Sequence, residues 1–122
     1  MWTVEIDDAA IREIKSMPAD LQAELLQAFV NLEMNGPFDL PFHMAKKIDG
    51  KLWELRVKAA SGIARAFYFT INPRRAIVIS AFVKKSQKLP ERELNKAIGR
   101  MKTLLNREEV DQKKENWKDK FK

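Results

Sequence analysis

Cysteine is absent from the 122 residues, which excludes disulfides, a thiolate nucleophile and cysteine-held metal centres. Histidine occurs once, at His43, and one imidazole cannot build a multi-histidine site. With four glycines there is no glycine-rich phosphate loop, and no Ser-His-Asp arrangement is found. The longest apolar run, residues 76–83 with Ser80 inside it, is far too short to span a bilayer. Glu5, Asp7 and Asp8 near the N-terminus are unlike a secretory signal. What remains is an ordinary globular composition, 45% hydrophobic and 33% charged, which rules out a mostly disordered chain. A single soluble domain is expected, in the cytoplasm.

The net charge of +6 is unevenly spread. Residues 1–45 carry −6, residues 46–107 carry +12, and residues 108–122 carry zero. A segment this basic predicts a polyanionic partner, most simply nucleic acid. The expected contacts within it are Lys46, Lys47, Lys58, Arg74, Arg75, Gln87 and Lys88.

Trp2, Val4 and Ile6 alternate with polar residues and predict a short first strand. Asp7 or Asp8 can cap a helix burying Ala10, Ile11 and Ile14. Pro18 breaks it and opens a second helix with Leu21, Leu25, Phe29 and Leu32 on one face. Asn35-Gly36-Pro37 stops that helix, and residues 38–49 read as irregular. Three strands are expected next. Residues 52–58 alternate cleanly, 63–71 are aromatic and β-branched, and 76–85 are nearly continuously apolar, as in a strand buried on both faces. Residues 72–75 form the hairpin loop between the last two. Pro90 starts a final helix with Leu94, Ala97, Ile98, Met101, Leu104 and Leu105 on one face. The order β-α-α-β-β-β-α predicts an α+β fold, a small antiparallel-rich sheet with helices on one face. The domain is expected over residues 1–107. Residues 108–122 then form a charged helical extension or tail whose Trp117 and Phe121 either fold back or anchor a partner.

The open sheet face would carry Glu54, Arg56 and Arg65, with Lys84 and Lys85 closing the last strand. Three strands would deliver cations to one patch. Such a patch suits RNA cleavage: the ribose 2′-hydroxyl attacks the adjacent phosphate, and the protein aligns the backbone, neutralises charge and moves protons without metal or cofactor. Glu54 is either a salt-bridge partner orienting Arg56 or a general base. Phe67 and Phe69 share Arg65's face, as core or as a stacking surface for a base. On an open face, truncating Arg65 or Lys85 would leave the fold intact.

Three segments, Leu52-Trp53-Glu54-Leu55-Arg56, Arg65-Ala66-Phe67-Tyr68 and residues 82–90 (FVKKSQKLP), lie before a helix. Together they resemble toxins of RelE/HigB-type toxin–antitoxin modules, specifically the phage-derived HigB-like branch. The resemblance spans about residues 1–105. It implies a RelE-like fold and a ribosome-dependent mRNA endonuclease, silenced by a cognate antitoxin, expected to be a helix-turn-helix protein encoded nearby. It places Arg56 at the family's strand-two cation, Arg65 at its strand-three arginine, and Lys85 at the strand-four cation on the scissile phosphate, with Lys84 beside it. The chain departs from the family in having Glu54 where relatives commonly carry a basic residue. It also lacks their histidine or tyrosine near the end of strand four; Tyr68 alternates away from Arg65 and should face the helices. Alternatives are a non-catalytic RNA- or ribosome-binding module and a phage accessory protein.

Overall fold

A computed structural model describes residues 1–38, 45–84, 90–107 and 116–122. Its elements run β1 (Thr3–Ile6), α1 (Asp8–Lys15), α2 (Ala19–Asn35), β2 (Ala45–Asp49), β3 (Leu52–Ala59), β4 (Gly62–Ile71), β5 (Arg75–Lys84) and α3 (Glu91–Arg107), with a short 3-10 helix at Trp117–Phe121. Five strands form one sheet in the order β1-β5-β4-β3-β2. β1 lies parallel to β5, and the other neighbours are antiparallel. The expected α+β class holds. Among the described residues no helix is long and apolar enough to cross a membrane.

The helix boundaries follow local chemistry. Asp7 caps α1 by accepting from the Ala9 N–H at 3.3 Å. Pro18, with no N–H to lose, precedes α2 as its cap. Gly36 ends α2 at φ +76°, and a methyl group there would sit 2.5 Å from the Trp2 indole nitrogen. Glycine is thus favoured twice over, by conformation and by the close approach of the Trp2 ring.

Two expectations are corrected. The segment read as irregular contains β2, an edge strand pairing with β3 and exposing Lys46 and Lys47. Lysines at an edge keep it from recruiting further strands, so a strand there need not look apolar. Second, the helices do not share one face. α1 and α2 pack with Leu55, Val57, Ala64, Ala66, Tyr68 and Val78. α3 packs its Leu94, Ala97, Ile98, Met101, Leu104 and Leu105 on the opposite face, against Leu52, Phe67, Phe69, Ile77 and Ile79. Two helices already fill the first face, and α3's apolar stripe needs its own.

At the C-terminal end Trp117 is 3% exposed. Its indole N–H donates to Glu33 Oε2 at 2.9 Å, and its ring meets Phe29 edge-on at 5.5 Å. Trp117 is therefore core, and of the two readings of this residue the fold-back one holds.

Glu13 of α1 ties three elements together. It accepts from the Ala81 N–H of β5 at 3.1 Å and from Lys96 and Arg100 of α3 at 2.9 Å each. Arg100 also donates to the Ile79 carbonyl at 2.9 Å. Burial alone would raise the Glu13 carboxyl, but the bonds from Arg100, Lys96 and Ala81 outweigh it and hold it below the usual value. A depressed folded pKa gives stability that is present above the unfolded value, about 4.3, and is lost as pH falls through the folded one. Glu13→Gln should therefore cost about 1–2 kcal/mol at neutral pH, and less as acid is added. Urea melts at both ends of that range check this; a pH-independent difference would contradict it.

Candidate functional site

The hairpins joining β3, β4 and β5 set the site. In register, Arg56 stands directly opposite Arg65, and Arg65 opposite Phe82. Lys84 lies opposite Ile63, one alternation beyond Phe82 on the same side. On β2, Lys46 is opposite Glu54. Alternation puts Lys46, Glu54, Arg56, Lys58, Arg65 and Lys84 on the α3 face, at the sheet end away from the β4–β5 loop.

A bulge decides which lysine arrives. β4 and β5 slip by one residue between Phe67 and Tyr68, which pair with Ser80 and Val78. Before the slip Ile77 and Ile79 point to the α3 face; after it Phe82 does. Odd-numbered residues lose that face to even-numbered ones, and Lys84 joins the arginines.

Arg65 and Glu54 are not on an open face. Their side chains are 4% and 6% exposed, and they form an ion pair at 3.2 Å. Glu54 thus pairs with Arg65, where an orienting role toward Arg56 was one expectation. Arg65 Nε is buried without a hydrogen-bond partner among the described residues. Arg56 and Lys84 are half-buried, and Lys46 and Lys58 are exposed. The Lys84 ammonium is held below the usual lysine range by partial desolvation, then by the Arg65 and Arg56 guanidiniums, against the pull of Glu54. A lysine so placed releases a proton more readily than one in water, and until then attracts anions.

Other expected residues lie elsewhere. Arg75 opens β5, outside the expected hairpin loop, and grips Glu5 of β1 through two bonds of 2.7 and 2.9 Å. Arg74 is exposed in the loop at φ +52°, so both sit at the far end of the sheet from the cluster. Lys47 is exposed and opposite Trp53, whose ring packs on the α1–α2 face. Phe67 and Phe69 are fully buried in the α3 layer, which makes them core and not a stacking surface. Tyr68 faces α2 as expected, stacked on Trp53 with centroids 6.1 Å apart, and burial pushes its phenol well up. His43, Lys85, Gln87 and Lys88 lie outside the described residues. The burial of Arg65 was missed by pattern reading. The available signal was its setting between Ala64 and Ala66 in an otherwise apolar strand.

Residues 12–102 match the family described as Phage derived protein Gp49-like (DUF891), about three quarters of the chain. No curated protein matches in sequence. Among solved structures the chain is similar to a double arginine-to-alanine mutant of the E. coli toxin RelE in the free state. The TM-score is 0.61 at 16% identity, over 82% of this chain and 97% of that one. At such identity the likeness speaks for the fold. The RelE-like fold and the phage-derived character expected from the strand motifs are both borne out: the chain belongs to the phage-derived Gp49-like family and is built on a RelE-like fold.

Proposed function

We propose that this chain is the toxin of a type II toxin–antitoxin pair, an endoribonuclease that cuts mRNA on the ribosome in the cytoplasm. The observation that carries the reading is the meeting of Arg56, Arg65 and Lys84 from three adjacent strands on one face, with a single carboxylate among them. RNA brings its own nucleophile. The 2′-hydroxyl gives its proton to solvent water as it attacks the neighbouring phosphorus, the bond to the 5′ oxygen breaks, and a 2′,3′-cyclic phosphate remains. The cluster neutralises the charge that builds on the phosphate, and Lys84 hands its proton to the departing 5′ oxygen. A partner that covers the cluster until release is the natural control, and a neighbouring antitoxin fits that need.

Induced expression tests this reading. The expected result is growth arrest, relieved by co-expression with the adjacent reading frame, and new mRNA ends bearing cyclic phosphates. A folded, abundant protein that leaves growth and mRNA intact sinks it. Glu54 favours a second reading, an RNA- or ribosome-binding module without cleavage, because its charge cancels one of the three cations. Arrest with uncut mRNA would select that reading.

A further inference from the structure

The Glu54–Arg65 geometry is at odds with a direct phosphate contact by Arg65. An arginine that captures a phosphate presents its fork of N–H donors to solvent beforehand. The Arg65 side chain is instead 4% exposed, with one terminal nitrogen 3.2 Å from Glu54 Oε2. Arg56 and Lys84 flank it, Arg56 directly opposite on β3 and Lys84 one alternation past its partner on β5, and both reach the surface. Three uncompensated cations on adjacent strands would repel one another. Glu54 offsets part of that repulsion from inside.

We propose that Glu54 and Arg65 form an internal pair of opposite charges that positions Arg56 and Lys84, and that within this cluster those two contact the RNA phosphate. Arg65 is then a positioning residue. This assignment rests on the RNA-cleavage reading and deepens it. Among the described residues, the charged groups facing Lys84 are Arg65 from β4 and Arg56 and Glu54 from β3. On α3, Lys96 and Arg100 are engaged by Glu13.

Two measurements on the intact chain test the assignment. The first follows the Cε shift of Lys84 by NMR through a pH titration of the free protein, with Lys84→Arg to identify the signal. Glu54→Gln should lower the Lys84 midpoint, Arg65→Gln should raise it, and the double variant should return close to wild type. An unmoved midpoint in all three overturns the positioning role. The second measures affinity for a single-stranded oligouridylate against salt. Each phosphate contact to a single strand adds about 0.7 to the slope of log affinity on log salt. Arg56→Gln and Lys84→Gln should each remove about that much. Arg65→Lys keeps the pair's charges and folds if the double variant does not. It should retain wild-type slope and affinity, whereas a lost phosphate fork would cost about tenfold or more. A tenfold loss in Arg65→Lys places Arg65 on the phosphate and overturns the proposal with the RNA reading intact. A wild type that binds no RNA overturns both.

Discussion

Arg65→Ala should melt roughly 10 °C or more below wild type, whereas Arg56→Ala should melt within a few degrees of it. The difference comes from what each truncation leaves behind. Arg56 is half-buried and its loss removes a charge that water already reaches. Arg65 is the ion-pair partner of a buried carboxylate, and its loss strands Glu54 at 5% exposure. Breaking a buried pair by removing one partner costs about 3–5 kcal/mol, most of it the desolvation of the charge that stays. Replacing both charges, as in the E54Q/R65Q variant, should recover much of that loss. Thermal and urea melts of the three variants decide the matter. Equal stability of Arg65→Ala and Arg56→Ala would show that Glu54 finds water or another cation.

Lys84→Ala should leave the melting temperature nearly unchanged and slow single-turnover cleavage of ribosome-bound mRNA by on the order of 10²–10³. Its ammonium stands beside two guanidiniums at the end of β5, where truncation opens no cavity in the core. Lys84→Arg separates its two tasks. Arginine restores the charge but cannot release a proton, so a rate still down by about tenfold or more identifies proton transfer. Because Lys84 is held below the usual lysine range, the wild-type rate should fall with rising pH earlier than an ordinary lysine would dictate. A Lys84→Ala rate within a few-fold of wild type would remove Lys84 from the reacting centre.

The fold was largely legible because its signals are local. The Asp7 cap, the Pro18 break and the Gly36 stop each act within one turn of helix, β3 alternates in plain view, and β4 is aromatic and β-branched. The side taken by α3 is a long-range fact. Two sequence features already argued for it, the doubly apolar run of β5 and the unmatched stripe from Leu94 to Leu105. An open second face is incompatible with both. Within the site, the cross-strand meeting of Arg56 and Arg65 follows from the short turn between their strands. The arrival of Lys84 depends on a one-residue slip between β4 and β5, which leaves no mark in hydrophobic alternation. The pairing of Glu54 with Arg65 depends on burial, and both are residue types that ordinarily stay in water.

The short length of β1 has a consequence for how copies of this chain meet in a crowded cell. β1 covers the outer edge of β5 from Arg75 to Val78, and among the described residues no strand lies on that edge along the remainder, Ile79 to Lys84. A bare strand margin is a template on which a second molecule can stack its own backbone. Here the Glu13 carboxylate occupies the Ala81 N–H and the Arg100 guanidinium occupies the Ile79 carbonyl. An incoming strand would have to evict both and break the bond between them, surrendering charged hydrogen bonds for neutral ones. The bonds that fasten α1 and α3 to the sheet thereby also act as a guard rail against self-association.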